Sequence, residues 1–314
     1  MDPKLSIVIP IFNEEECIRP LYEELTEVLT SLERSYEIIF IDDGSSDNSF
    51  TYLSEIHNHD SRVKIIKFRS NFGQSAAMKA GFNHASGTIV VSMDGDLQND
   101  PHDIPHLIEK MQREDYDVVC GWRRDRNDPR MKKIVSKIAN RIRSSLTGES
   151  IHDSGCTRRV YTLQSVKNME LYGELHRYIP AMLMWRGYHV GELVTNHRER
   201  TLGKSKYNWK RIIKGFLDLL VVTFWQKYST RPIHIFGSIG LVMGGIGFLI
   251  GGYLVCLRLF YNEGLMDRPL FFVSFFLIIL GVQFFVLGIL ADIMLKIYFS
   301  QNERSNYLIE TVIG

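Results

Sequence analysis

The chain has 314 residues, with 37 Lys and Arg against 36 Asp and Glu, a formal net charge of +1 and 45% hydrophobic residues. A balance this close to neutral carries no sign of a chain built to coat a polyanion, and no nucleic-acid partner is expected. The mean hydropathy of −0.07 hides a division, because residues 1–230 are mixed and charged whereas the stretch from Ile233 onward is strongly apolar.

Taken in chain order, residues 5–10, 37–42, 63–68, 88–93 and 117–122 are short apolar runs rich in β-branched side chains. Amphipathic stretches such as 14–32, 74–85 and 102–114 lie between them. Strands spaced by helices predict βαβ units and a parallel sheet covered on both faces. Ligands of such sheets bind at the carboxyl ends of the strands. The polar residues fall at those ends: Asn13 and Glu14, Asp42 and Asp43, Arg69, and Asp94 to Asp96. No G-x-G-x-x-G follows the first run, so a dinucleotide site is not expected.

Asp94-Gly95-Asp96-Leu97-Gln98 closes the fourth run. Two carboxylates on a glycine-bearing turn can converge on one hard cation, with Gln98 adding a carbonyl oxygen and phosphate filling the remaining positions. Asp42 is placed to accept a hydrogen bond from a nucleobase imide, while Ser45 or Asp47 suits the cap of the next helix. His102 and His106 lie four apart, but Pro105 interrupts the turn and no third ligand is near, so a surface pair is expected.

Beyond this core come a basic helical stretch at 131–146, a Ser/Gly/Arg segment at 153–159, a helix at 174–186 and a strand at 189–197. Residues 207–228 interleave aromatics and Leu with lysines, the pattern of an amphipathic helix on a membrane surface. Residues 233–257 contain no Asp, Glu, Lys or Arg and would reach about 37 Å as a helix, enough to cross a bilayer. Residues 270–291 repeat the pattern, with Gln283 their one strongly polar side chain, and a short polar link joins the two as a hairpin. Gly240 and Gly244, like Gly247 and Gly251, have the spacing that lets helices approach closely, within the hairpin or between the copies of a homo-oligomer.

Lys204, Lys206, Lys210, Arg211, Lys214, Lys227 and Arg231 precede the first span, and Lys296 and Arg304 follow the second. The positive-inside rule therefore predicts a plasma (inner) membrane protein of two spans with its catalytic domain and both termini in the cytoplasm. Cys17, Cys120, Cys156 and Cys256 have no paired spacing, which suits a reducing compartment. The apolar run at residues 5–12 is too short for a secretory leader. The expected organisation is a catalytic domain over 1–206, amphipathic juxtamembrane helices over 207–232, two spans within 233–299 and a cytoplasmic tail over 300–314.

The segments SIVIPIFNEEE, IDDGSSDNS, RSNFGQSAAMKAG, MDGDLQNDP, DSGCTRRVY and RTLGKSKY, spread from Ser6 to Tyr207, resemble family 2 glycosyltransferases of the GT-A fold. The whole chain is similar to their polyprenyl-phosphate branch, which includes bactoprenol glucosyltransferases and dolichyl-phosphate mannose synthases. The resemblance implies an α/β, Rossmann-like nucleotide-sugar domain in which Pro10, Glu14, Asp42 and Arg69 contact base and ribose. It implies that Asp94, Asp96 and Gln98 hold Mg²⁺ or Mn²⁺ on the diphosphate, with Asp94 also contacting the donor. Arg123, Lys132 and Ser136 match positions near the acceptor phosphate. Arg200, Ser205 and Lys206 match an R-x-x-G-x-S-K loop that closes over diphosphate and acceptor. Asp153 stands where related inverting enzymes carry a base. A lipid phosphate with a second pKa of about 6 is already ionised at pH 7, so Asp153 could equally orient Arg158 or Arg123.

The implied reaction is an inverting transfer of one sugar, glucose from UDP-glucose as the first expectation, to a polyprenyl (undecaprenyl) phosphate. GDP-mannose and modified UDP-pentoses are the alternative donors. A processive polysaccharide synthase needs a Q-x-x-R-W motif before further spans, whereas Gln301 to Arg304 is followed by Ser305 and lies after the last span. A non-catalytic sugar-nucleotide sensor has little use for both a metal turn and a Lys/Arg loop.

Overall fold

The computed structural model describes residues 4–124, 151–167, 169–198, 232–261, 268–300 and 309–313, with single residues at 148, 224 and 264. These divide into two compact units, one formed by the residues up to 198 together with 309–313, the other by two long helices.

In the first unit β1 (Leu5–Ile11), β2 (Tyr36–Asp42), β3 (Val63–Phe68) and β4 (Ile89–Ser92) are mutually parallel, in the order β4-β1-β2-β3. Helices α1 (Glu15–Ser31), α2 (Ser49–His59) and α3 (Gln74–His84) make the crossovers. Alternation along β1 shows why the sheet is covered on both faces. Leu5, Ile7, Ile9 and Ile11 enter one apolar cluster with α1 and α4 (Ile104–Arg113), whereas Val8 enters the other with α3.

The expected all-parallel sheet is corrected by β6 (Arg159–Thr162). It runs antiparallel between β4 and β5 (Val118–Trp122), pairing with both. β7 (Val190–Val194) then lies parallel to β5 at one edge. At the other edge Ile309–Ile313, expected as part of a tail, forms β8 and pairs antiparallel with β3, with Lys67 bridged to Glu310 at 3.0 Å. The expected helix at 174–186 is divided into a 3-10 turn, Leu175–Tyr178, and a helix, Ile179–Trp185, because Pro180 has no N–H to continue the ladder. The expected helices at 131–146 and, residue 224 apart, 207–228 lie outside the described residues.

The second unit is the expected hairpin. Its helices, Ile233–Tyr261 and Pro269–Ser300, run a few residues past the predicted spans. Both are long and apolar enough to cross a membrane, and large apolar side chains such as Phe248 and Leu249 point outward. The helices meet through small residues. A Cβ on Gly240 would lie 2.5 Å from the Gly281 carbonyl oxygen, one on Gly247 would lie 2.9 Å from the Ser274 carbonyl oxygen, and Ser274 Oγ donates to the Gly247 carbonyl at 2.9 Å. These close approaches lie within the hairpin.

Candidate active site

The carboxyl ends of β1 to β4 bring the predicted nucleotide-side residues to one edge. Pro10 sits near the end of β1, opposite Ile41 of β2. Glu14 begins the turn into α1, where its N–H donates to Ser49 Oγ at 3.2 Å. Asn13 takes the left-handed conformation (φ 52°), and its Oδ1 accepts from the Ser46 N–H at 2.8 Å, tying the β1 turn to the β2 turn. Asp42, fully buried at the end of β2, uses one oxygen to accept the Ser45 N–H at 2.9 Å. Its Oδ2 is buried with no hydrogen-bond partner. A buried acceptor in that condition is costly unless a ligand N–H completes it.

Asp43 shapes the loop that follows β3. Its two oxygens accept the N–H groups of Phe72 at 2.7 Å and Gly73 at 2.9 Å, and Arg69 stands exposed at the root of that loop. Burial pushes the Asp43 carboxyl up to about 6, against the two N–H donors that favour its charged form. Gly44 lets the two loops touch, since a Cβ there would lie 2.5 Å from the Ser70 backbone.

The Asp94 to Gln98 turn leaves β4 across the top of β1. Gly95 is required there, because a Cβ would overlap the Ile11 side chain and crowd the Pro10 carbonyl at 3.3 Å. Asp94 Oδ1 accepts from Gln74 Nε2 at 2.7 Å, and its Oδ2 accepts from Thr157 Oγ1 at 2.5 Å. Each oxygen keeps a lone pair, and with Asp96 and Gln98 the donor set is the hard-oxygen chemistry that Mg²⁺ and Mn²⁺ take. Leu97 is left-handed (φ 62°), which an unbranched-at-Cβ side chain tolerates only at some cost, and Asp96 Oδ1 closes the turn on the Gln98 N–H at 3.2 Å.

The antiparallel β6 brings the remaining chemistry to this edge. Because Ser92 pairs with Arg159, the residues just before β6 arrive beside the residues just after β4. Thr157 thereby reaches Asp94. Upstream, Asp153 is 7% exposed and accepts from Arg123 Nε at 2.7 Å and from its Nη2 at 3.0 Å. Of the two partners considered for Asp153, the pairing is therefore with Arg123. The Glu192 carboxylate supports this segment by accepting the N–H groups of His152 and Asp153 at 2.7 and 3.1 Å.

Beneath lies a buried polar layer that the sequence reading did not assign. Arg159 donates to the carbonyls of His176 and Ser154 at 2.9 and 2.6 Å, and His176 Nδ1 meets Ser75 Oγ at 2.9 Å, next to Gln74. Arg158 donates to the carbonyls of Asp100 and Asn196 at 2.7 and 2.8 Å and pairs with Asp103. The legible signal for the two arginines was the motif DSGCTRRVY. Cys120 and Cys156 are buried beside them, and burial lifts the Cys120 thiol to about 12, so it is an inert filler.

His102 and His106 are both exposed, and His102 Nδ1 lies 2.9 Å from Asp100 Oδ1. Lys132, Ser136, Arg200, Ser205 and Lys206 lie outside the described residues.

The sequence profile of the family described as Glycosyl transferase family 2 matches residues 6–170, a little over half of the chain. The dodecaprenyl-phosphate galacturonate synthase of Rhizobium johnstonii is 36% identical over 313 residues, covering 98% of this chain and 93% of that relative. An undecaprenyl-phosphate 4-deoxy-4-formamido-L-arabinose transferase of Proteus mirabilis is 36% identical over 313 residues, covering 99% and 94%. Among solved structures, a mannosyltransferase from Pyrobaculum calidifontis in complex with GDP-Man and Mn²⁺ has a TM-score of 0.53 at 15% identity, covering 71% of this chain and 67% of that one. Glucosyl-3-phosphoglycerate synthase from Mycobacterium tuberculosis, in complex with Mn²⁺ and UDP-glucose, has a TM-score of 0.52 at 16% identity, covering 70% and 79%. At these identities the structural likeness speaks for the fold, which is the expected GT-A architecture.

Proposed function

The chain belongs to glycosyl transferase family 2, among its polyprenyl-phosphate glycosyltransferases, and on that premise we propose that it transfers one sugar from a nucleoside diphosphate to a polyprenyl phosphate. The observation that carries this reading is the convergence, at one sheet edge, of the partnerless Asp42 oxygen, the Asp94–Asp96 carboxylates and the Arg123–Asp153 pair. The first suits a base N–H, the second a diphosphate-bound cation and the third an anionic acceptor.

In this reading Asp42 receives the base, with Pro10 and Glu14 beside it, and Asp43 sets the loop that carries Arg69 to the ribose. Asp94, Asp96 and Gln98 hold Mg²⁺ or Mn²⁺, which when bound neutralises charge that builds on the leaving diphosphate. Gln74 and Thr157 keep Asp94 aimed. Asp153 holds the Arg123 guanidinium rigid for the acceptor phosphate and does not serve as a base, since the phosphate oxygen is itself the nucleophile. Lys132, Ser136, Arg200, Ser205 and Lys206 add the remaining positive and polar contacts. A single in-line displacement forms the bond from phosphate oxygen to anomeric carbon as the bond to the diphosphate breaks, so the configuration inverts without a covalent enzyme intermediate.

The donor is proposed as a UDP-sugar. Glucose, the first expectation from the sequence, draws no support from the two relatives, whose names specify galacturonate and 4-deoxy-4-formamido-L-arabinose. We rank a uronate or a modified pentose ahead of it.

The site is proposed to lie at the cytoplasmic membrane face, which confines the enzyme to the plane of its lipid acceptor and raises the effective concentration. Two features support this orientation. Basic residues concentrate on both flanks of the hairpin. β8, which follows the second helix, pairs with β3, so the residues on either side of the hairpin in sequence belong to one folded unit.

The test is to incubate the full-length protein in detergent with labelled UDP-glucose, UDP-galacturonate, UDP-4-deoxy-4-formamido-L-arabinose or GDP-mannose, each with polyprenyl phosphate and Mn²⁺. A single-sugar lipid from one donor, lost in Asp94→Asn and Asp96→Asn, is the expected result. A polymer, or no lipid product from any nucleotide sugar, overturns the reading.

A further inference from the structure

We propose that Arg198 is a positioning residue for the Asp94 to Gln98 turn, acting through an ion-pair latch with Glu24 and Asp100. The inference rests on the reading of that turn as the metal site.

The far half of the turn leans on the chain segment that follows β7. The Arg198 N–H donates to the Gln98 carbonyl at 3.0 Å, and Asn99 forms an isolated antiparallel bridge with His197. The Asp100 carbonyl accepts from Arg158 at 2.7 Å, and the Asp100 carboxylate takes Arg198 Nη2 at 2.8 Å. Arg198 is in turn held by α1, where Nη1 and Nη2 donate to the two Glu24 oxygens at 2.9 and 2.6 Å. Glu24 lies between Leu21 and Leu25, both fully buried, so its backbone belongs to a helix packed into the core.

A lone exposed ion pair would not support much. This one is bidentate, shared with a second carboxylate and partly sheltered, with side-chain exposures of 38% for Arg198, 21% for Glu24 and 15% for Asp100. A fork-to-carboxylate pair fixes direction as well as distance.

Glu24, Asp100 and His102 also approach one another as a cation site would. The Arg198 guanidinium already sits on those carboxylates, so the cluster is filled by a side-chain cation and the metal belongs at Asp94 and Asp96.

Leu97 shows what the latch is for. A left-handed non-glycine residue persists only where its surroundings hold it. Asp94 is held separately by Gln74 and Thr157, so releasing Arg198 lets Leu97 relax and shifts Asp96 and Gln98 relative to Asp94. The expected loss is therefore in metal use.

The experiment measures transfer against Mn²⁺ concentration with the full-length protein, alongside thermal stability. Arg198→Ala should raise the Mn²⁺ concentration for half-maximal activity about tenfold, the scale seen when partners of metal ligands are removed. Arg198→Lys, which keeps the charge but not the fork, should fall between. The KM for donor at saturating Mn²⁺ should change by less than about twofold, because uniform binding by the base side is untouched. A wild-type Mn²⁺ curve in both Arg198→Ala and Arg198→Lys overturns the proposal whatever the stability does. So does His102→Ala abolishing the Mn²⁺ response, which would mean that the cluster itself binds the metal. Asp96→Asn is the reference: if it leaves the Mn²⁺ curve unchanged, the metal-turn reading has failed and this inference fails with it.

Discussion

The Thr157 hydroxyl donates to the Asp94 carboxylate at 2.5 Å, although 63 positions of sequence separate the two residues. The contact joins the end of β4 to the start of β6, and it exists because those strands are antiparallel neighbours. With Gln74 on the other oxygen, it leaves Asp94 one orientation.

Removing that contact should cost activity more than stability. Thr157→Val keeps the shape and deletes the donor, and kcat/KM is expected to fall about tenfold, with the Mn²⁺ requirement raised. Thr157→Ser should retain most of the activity. Unchanged kinetics in Thr157→Val would remove Thr157 from the site.

The Arg123–Asp153 pair, with side-chain exposures of 14% and 9%, separates a structural role from a chemical one. Losing one partner of a largely buried pair costs about 3–5 kcal/mol, whereas an apolar pair of similar volume can be neutral. Asp153→Asn and Arg123→Met should each destabilise and inactivate. The combination Arg123→Met with Asp153→Leu should regain stability while remaining inactive. If Asp153 were a base instead, Asp153→Asn would abolish the acidic limb of the pH–rate profile with Arg123 binding intact.

Asp43 should give donor binding a pH dependence. Its folded-state carboxyl is raised to about 6 by burial, above an unfolded value of 3.8, so the native state holds the proton more tightly across that window. Its contribution to stability therefore increases as pH falls from about 6 towards 4, and the buried carboxylate opposes folding above that range. Binding follows the other sign. Protonation removes one acceptor from the Phe72 and Gly73 N–H groups and loosens the loop bearing Arg69. The donor KM should rise below about pH 6 in the wild type and be high but flat with pH in Asp43→Asn. A KM that does not change between pH 7 and 5 in the wild type would rule this out.

β8 predicts both a stability and a topology. A chain lacking residues 309–313 exposes the β3 edge and loses the Lys67–Glu310 bridge, so it should melt lower and aggregate more readily. A C-terminal tag should react from the same side of sealed vesicles as the catalytic domain, and a label at Gly264 from the opposite side. Protection of the tag together with exposure of the catalytic domain would contradict the strand pairing.

The parallel half of the fold was legible in the sequence. The runs at residues 5–10, 37–42 and 63–68 are apolar enough to be strands buried on both faces, and the polar and charged residues that end them are costly to bury without a partner, which pointed to that edge as the place for a ligand. The two long apolar helices were legible from composition, since each run is long and apolar enough to cross a membrane. β6 was hidden because it is four residues long and begins with Arg159, whose buried guanidinium donates to carbonyls of His176 and Ser154 that sequence cannot bring near. β8 was hidden because an edge strand is defined by its partner, and Ile309–Ile313 has little pattern of its own.

Local chemistry thus singled out the acidic turn at 94–98, the polar edge of the sheet and the apolar hairpin, because each is written in contiguous residues with a period or a composition. The orientation of Asp94 by Thr157, the pairing of Asp153 with Arg123 and the anchoring of the turn by Arg198 on Glu24 are contacts between segments 30 to 174 positions apart. They follow from strand order and register, which the chain acquires only when an antiparallel strand and a packed helix bring those side chains within hydrogen-bonding distance.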